Sequence, residues 1–326
     1  MTRRPSPQHG AALLAALLTV ALVTTLAAGA LWQQWRLTEV ESLTRERSQA
    51  QWLLTGALDW ARVILREDAR AASNGENTDH LAEPWAVPLQ EARLSDFLAA
   101  MPGADRSAAN DSLAERVLLS GRIIDAQSRF NLANLIVDGK PEPQALRTLS
   151  RLFDALGLPT SELAALVQGL QAAQPATGRY AAPRQLMQLG WLGVSPPTLL
   201  ALAPHVTLLP GPTPLNVNTA SAEVLAASVP GLALTQARQL VQERARRDWK
   251  SLDEFNRSAG SLVASSSHSV ASRYFEVWGQ IRQREQRLLE QSLVQREGLE
   301  VTVLWRQPVD ASSPVATVFL GPASLQ

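Results

Sequence analysis

Apolar and polar positions fall into distinct patterns along the chain. From Ala11 to Leu31 there are 21 residues without charge, with Thr19, Thr24 and Thr25 as the polar side chains. A helix rising ~1.5 Å per residue spans about 30 Å over such a run, the thickness of a hydrocarbon core. From Gln33 to Arg70 no proline intervenes. Leu37, Val40, Leu43, Ala50, Leu54, Ala57, Ala61, Ile64 and Leu65 recur there at helical spacing between charged residues. The two stretches join into one expected helix from Ala11 to Arg70, about 90 Å long.

Val117 to Asp125 alternates as a half-buried strand, and Asn131 and Asn134 then read as turn or capping residues without a ligand. Residues 141 to about 268 read as helices punctuated by proline and glycine, without strand-like alternation. The spacing predicts Pro143–Leu156, Ser161–Ala173, Pro183–Leu189, Pro197–Ala203, Ser221–Ser228, Thr235–Arg246 and Ser251–Ser258. Asn218 or Thr219 is the expected N-cap of the helix over Ala220–Ala227, with Glu223 near its positive end. Ser258 to Ser272 is a serine-rich loop. Phe275, Val277, Gly279 and Ile281 then alternate with Glu276, Trp278, Gln280 and Arg282, a strand period. Arg287–Gln295 and Glu300–Arg306 continue as strands, the last with Val301, Val303 and Trp305 on one face. Strands before and after a helical block imply one sheet with an insertion. The expected fold is α+β: a long N-terminal helix packed on an antiparallel sheet, residues 32–138 with 270–326, carrying an all-α insert over 139–269.

With 326 residues the chain has about two domains' worth of length. Thirty basic residues balance 30 acidic ones, and only 18% of residues are charged, which argues against coating nucleic acid by bulk charge. The absence of cysteine excludes a thiol nucleophile, an iron–sulfur cluster, a thiolate zinc site and a disulfide.

Arg3 and Arg4 precede the apolar run, which places the N-terminus in the cytoplasm and the chain beyond Leu31 across the membrane. Trp32 and Trp35 then stand where an interfacial aromatic belt is expected. Ala28-Gly29-Ala30 suits an ordinary signal peptidase, but the run exceeds the roughly 7–15 apolar residues of such signals. The alternative is cleavage after Gly10, leaving the apolar helix at the mature N-terminus. A short basic leader ending in glycine before an apolar helix resembles the type IV prepilin class.

Two further stretches narrow the resemblance. Leu119-Ser120-Gly121-Arg122-Ile123-Ile124-Asp125-Ala126-Gln127-Ser128-Arg129-Phe130-Asn131-Leu132-Ala133-Asn134-Leu135 and Pro214-Leu215-Asn216-Val217-Asn218-Thr219-Ala220-Ser221-Ala222-Glu223-Val224-Leu225 resemble the minor pseudopilin K family of type II secretion systems. His80-Leu81-Ala82-Glu83-Pro84-Trp85-Ala86 is similar to that family's loop after the long helix. The resemblance implies a leader, residues 1–10, removed between Gly10 and Ala11 by a prepilin peptidase, with methylation on Ala11. It implies a single pass of the inner membrane through residues 11–31, with the bulk of the chain in the periplasm. Its partners would be the I-type and J-type minor pseudopilins and the major pseudopilin filament. Its work would be to form the pseudopilus tip and start assembly for export of folded proteins across the outer membrane.

In most such subunits the fifth mature residue is a glutamate that pairs with a neighbour's N-terminal amine. Here that position is Ala15. A subunit without the carboxylate has no charge with which to dock beneath another, but it can sit first. The family often carries an acid-rich calcium stretch in the helical domain. Here Gln168, Gln171 and Gln174 stand where acids are expected, and Ala181-Ala182 where more would follow. Amide oxygens rarely hold calcium against water, so no metal or other cofactor is expected.

The residues give no enzyme reading. His9, His80, His205 and His268 are scattered without a second histidine at metal spacing, and each reads as surface or structural. No nucleophile elbow, phosphate-binding loop or GxGxxG occurs. Glu67-Asp68 and Asp253-Glu254 read as solvated faces. The alternative function is nucleic-acid binding, by a DNA-uptake type pseudopilin or an exported helix-hairpin-helix protein. Residues 214–255 resemble such a hairpin, with Pro230-Gly231-Leu232 and a patch of Arg238, Arg244, Arg246 and Arg247. Ala233 replaces the glycine that close backbone approach to phosphate needs, and Glu243 and Asp248 dilute the charge. No nucleic-acid partner is therefore expected.

Overall fold

The computed structural model describes residues 9–72, 77–100, 114–173, 183–284 and 286–320. The chain divides into two compact units, Met1–Leu53 and Leu54–Gln326. In the first unit the described residues all belong to helix α1, which runs His9–Ala72 and so continues into the second. Its apolar stretch is long enough to cross a membrane, and the window that qualifies is entirely exposed. The threonines bond back to carbonyls one turn earlier, Thr19 to Ala16 and Thr24 to Val20, so their hydroxyls are satisfied without water. The Arg36 guanidinium lies 5.1 Å over the Trp32 ring just past the run.

The second unit is built on a five-stranded antiparallel sheet: β1 (Leu89–Arg93), β2 (Val117–Asp125), β3 (Tyr274–Gln283), β4 (Gln286–Glu297) and β5 (Glu300–Val309). The strands lie side by side in chain order. Between β2 and β3, among the described residues, come the α-helices α3 (Pro143–Leu156), α4 (Thr160–Ala172), α5 (Pro196–Leu202), α6 (Ala222–Ser228), α7 (Leu234–Arg246) and α8 (Leu252–Ala259). Two short helices, α2 (Leu94–Ala100) and α9 (Pro314–Leu320), attach to the sheet region. The molecule is α+β, as the sequence implies.

One sheet face receives the second part of α1. Leu58, Ala61 and Leu65 pack with Trp85, Ile123, Phe275, Val277, Val294 and Val301. Arg62 Nε donates to Val301 O at 2.9 Å and Arg66 Nε to Leu299 O at 3.2 Å, fastening the helix to the β4–β5 hairpin. Gly121 and Gly279 oppose each other on β2 and β3. A Cβ on Gly121 would lie 2.6 Å from Trp278 O, so the two strands approach closely only with glycine there.

The other face is also covered, which the alternation on β3 does not announce. Trp278 and Leu289 pack with Phe319 of α9 and Ala203, and Glu276 and Gln280 are buried as well. Strand β5 departs further from expectation. A bulge sets Leu293 opposite Trp305 and Val294 opposite Val303, with Leu304 extra. Val301 and Val303 therefore pack toward α1, whereas Trp305 packs on the opposite face with Tyr274 and Leu293.

The helical block has its own core, including Leu149, Leu152, Phe153, Leu166, Val224, Leu240 and Phe255. Its helices match the expected spans to within two residues, except the expected Pro183–Leu189, which is a 3-10 helix over Leu186–Leu192 ended by Gly193 at φ +87. Two residue pairs form parallel bridges that alternation could not reveal, Phe130–Asn131 with Val206–Thr207 and Leu215–Asn216 with His268–Ser269. A small hairpin pairs Ile136–Val137 with Lys140–Pro141. Its turn residues Asp138 and Gly139 both have positive φ, the backbone of a tight primed turn.

Candidate functional site

The two sequence stretches singled out above meet where the sheet joins the helical block. Strand β2 ends at Asp125, which is 2% exposed. Its Oδ1 accepts from Gln127 N at 2.7 Å, turning the chain into the 3-10 helix Ala126–Ser128. Its Oδ2 accepts from Thr219 Oγ1 at 2.5 Å, Ser272 Oγ at 2.7 Å and Asn216 Nδ2 at 3.0 Å. One carboxylate thus ties the end of β2 to the bridge before α6 and to the segment leading into β3. Burial pushes its pKa up to about 6, against the pull of those donors.

A second carboxylate extends the network. Asp79 Oδ2 accepts from Ser272 N at 2.7 Å, and its carbonyl accepts from Asn216 Nδ2 at 3.0 Å. Arg296 on β4 binds Asp79, and also Asp68 at 2.6 Å and Ser272 O at 3.1 Å. Its guanidinium lies 4.8 Å over the Phe275 ring. Asp68 is therefore not on a solvated face as its sequence suggests: it points inward, while neighbouring Glu67 stays exposed and pairs with Arg70. The helix periodicity that separates adjacent side chains explains both.

The asparagines are more than local caps. Asn131 Oδ1 caps Ala133 N and also accepts from Leu209 N at 3.1 Å, while its Nδ2 donates to Gly211 O. Asn134 takes Thr213 through both backbone groups, at 2.9 and 2.8 Å, and Asn218 takes Trp249 in the same way at 3.0 and 2.9 Å. A side-chain amide has the donor and acceptor of a peptide group, so each residue stands in for a missing strand partner. The cap of α6 is Ser221, whose Oγ accepts from Val224 N, rather than Asn218 or Thr219, which face the network.

Beside Asp79 lies the loop after α1. Glu83 Oε2 accepts from Trp85 Nε1 at 2.6 Å and His80 N at 3.0 Å, and burial pushes Glu83 up to about 7. His80 Nε2 stands 3.8 Å from Glu83 Oε1 and 3.7 Å from Asp248 Oδ2, between the loop and the helical block. Oxygens of Asp68, Asp79 and Glu83 converge to within 4.8 Å, the geometry of a small cation site. Two of the three, Asp68 and Asp79, already hold Arg296, so part of the cluster's charge is met from within. His268 is buried between Ser267 Oγ and Ser228 Oγ, and burial lowers its pKa to about 4.

Gly10 and Ala11 lie in the first turns of α1, and Ala15 is exposed on the same helix. Gln168 is exposed and Gln171 half-buried on α4; Gln174 and Ala181-Ala182 lie outside the described residues. The hairpin α6–α7 turns at Gly231, φ +76. Of its arginines, Arg244 is turned inward: Nη1 donates to Val217 O at 2.7 Å and burial lowers its pKa to about 10. Arg247 faces Glu254 at 3.4 Å. Arg238 and Arg246 remain on the exposed side.

The model of the family described as "Type II secretion system (T2SS), protein K" matches residues 215–274, which hold Asn216, Thr219 and Ser272 of this network. A type II secretion system protein K from Pseudomonas aeruginosa is 31% identical over 321 residues, 89% of each chain. The chain belongs to the type II secretion system protein K family. The Klebsiella pneumoniae protein K is 29% identical, covering 92% of this chain and 96% of its own. That of Pectobacterium carotovorum is 26% identical, covering 93% and 97%. The fold is shared with a chain in the crystal structure of the GspK-GspI-GspJ complex from enterotoxigenic Escherichia coli, at a TM-score of 0.61 and 22% identity over 82% of this chain and 98% of that one. As a protein K, the chain is a minor pseudopilin. Sequence reasoning quoted the motif that contains Asp125 but missed its partner Ser272 and the residues that extend the network, Asp79 and Arg296, which stand outside the quoted motifs.

Proposed function

We propose that this protein K is a non-enzymatic tip subunit of the periplasmic pseudopilus, assembled with I-type and J-type minor pseudopilins and followed by the major pseudopilin. The relative from Escherichia coli was solved in a complex with such partners, which supports the reading. The observation that carries it is the uncharged run from Ala11 through Ala15 to Leu31 at the head of a protein K chain. A prepilin peptidase cleaves after Gly10 and Ala11 is methylated. Residues 11–31 then anchor the chain in the inner membrane with its bulk in the periplasm, and residues 139–269 act as an inserted helical domain. Without a carboxylate at Ala15, the subunit takes the first place in the filament. Gln168, Gln171 and Gln174 replace the calcium ligands, and the helical domain is held by its own side chains. The inward Arg244 supports a structural use of the hairpin over a phosphate-binding one.

Intact mass and N-terminal sequencing of the membrane-extracted protein, with and without a prepilin peptidase, test this. Peptidase-dependent loss of residues 1–10 with a methylated Ala11 is the expected result. A soluble chain beginning at Leu31 would overturn the filament reading.

A further inference from the structure

The sheet of the second unit has two edges, and a sheet edge carries backbone N–H and C=O groups that can template another strand. At one edge, β1 is five residues long and bulged between Leu89 and Ala92, which makes it a poor template. At the other, β5 is ten residues long, and no described strand pairs with its outer side. Arg296 N donates to Arg273 O, on the side of β3, so the opposed pair Arg296 and Val301 exchanges no bonds. The N–H and C=O of Val301 therefore point outward, and those of Val303 follow in the same sense.

This edge is closed by different means along its length. From Leu304 onward the bulge breaks the two-residue repeat of outward groups, and Pro308 has no N–H to offer. Between Leu299 and Val303 neither device is present. There Arg62 Nε takes the Val301 carbonyl at 2.9 Å and Arg66 Nε takes the Leu299 carbonyl at 3.2 Å, both from α1. Asp59 Oδ1 holds Arg62 Nη1 at 2.8 Å, which aims the guanidinium at the strand. Apolar residues already pack α1 on the sheet, so fastening alone does not call for a guanidinium that reaches the strand's outer carbonyl. A bond from a charged donor is stronger than one from a peptide N–H, so an incoming strand cannot displace it at even cost. We propose that Arg62, backed by Arg66, is an edge guard, a built-in contact that keeps β5 from pairing with the β5 of a second copy of this chain. Without it, Val301 and Val303 exchange backbone bonds with the copy's Val303 and Val301, in an antiparallel register centred on Thr302. A second copy fits because two identical strands related by a two-fold axis present the same outward groups to each other.

Sedimentation of the full chain in detergent micelles, where two chains are free to lie antiparallel, tests this. Arg62→Met keeps Arg66 and the apolar packing of α1, and is expected to self-associate about tenfold more tightly than wild type, the worth of one or two freed backbone bonds. Asp59→Ala, at a 59% exposed carboxylate, releases the guanidinium without disturbing the core and is expected to shift association in the same direction. Adding Val303→Pro to Arg62→Met removes an outward N–H without touching a bond to β4, and is expected to return association to the wild-type level. No tightening in either Arg62→Met or Asp59→Ala overturns the proposal. Tightening that persists with Val303→Pro places the contact elsewhere and overturns it too.

Discussion

Asp125 and Glu83 are both buried carboxyls, but they serve different ends. Asp125 receives four donors from three separate parts of the chain. Asp125→Ala leaves those donors facing an empty buried site and is expected to cost about 3 kcal/mol or more in denaturant unfolding. A loss under 1 kcal/mol would show that the donors find other acceptors. Glu83 has fewer donors and a pKa of about 7 against an ordinary 4.5, because burial outweighs its bonds. A folded pKa above the unfolded one means the folded state holds the proton more tightly. The stability it contributes is present in full below about 4.5 and lost as pH rises through 7. His268 works in the opposite sense: its contribution is lost as pH falls from 6.5 through about 4. Comparing wild type with Glu83→Gln isolates the first effect. The wild-type advantage should shrink by roughly 2 kcal/mol between pH 4.5 and 7.5, taking ~1.4 kcal/mol per unit and discounting for partial solvation. A difference independent of pH would show that Glu83 does not titrate in this window. The caps and turns of single residues were legible where the partner is local, as at Asn131. They were not where the side chain reaches across the fold, as at Asn218, because spacing carries no information about distant partners.

At the scale of elements, periodicity located β2, β3, β4, β5 and most helices, since each has one apolar face long enough to show. It failed on β5's Trp305 because a bulge resets the alternation, and a bulge is set by the pairing of two strands. It passed over β1 and α9: five residues reading Leu-Gln-Glu-Ala-Arg and seven reading Pro-Val-Ala-Thr-Val-Phe-Leu are too short to separate from loop. The glycine pair between β2 and β3 gives a contrast that alternation cannot supply. A methyl on Gly121 meets backbone, Trp278 O at 2.6 Å, whereas a methyl on Gly279 meets the end of a side chain, Leu54 Cδ2 at 3.2 Å. Backbone in the middle of a sheet cannot yield without breaking ladder bonds, but a leucine rotamer can. Gly121→Ala is therefore expected to lower the melting temperature by about 10 °C or more, and Gly279→Ala by only a few degrees. Equal shifts in thermal melting would mean that the strands are free to part.

At the scale of the whole molecule, the network around Asp125 joins the sheet, the helical block and the loop after α1 through residues 79, 125, 216, 219, 272 and 296. Both ends of the insertion pass through it. That arrangement ties a large helical block to a small sheet at several points, which suits the proposed place at one end of a filament. The proposed place rests on Ala15. A carboxylate at this depth costs several kcal/mol unless it meets a cation, and a neighbour's N-terminal amine is the cation a filament offers. Ala15→Glu gives the subunit the means to dock beneath another, so it should appear at internal positions as well as at the tip. Because the chain has no cysteine, a single Thr19→Cys reports contacts without background. With Ala15→Glu, crosslinks from this position to a cysteine near the N-terminus of a subunit above should appear in assembled pseudopili. With alanine at 15 they should be absent while crosslinks to subunits below persist. Crosslinks to a subunit above in the Ala15 chain would show that the protein enters the filament internally, and the tip assignment would fall.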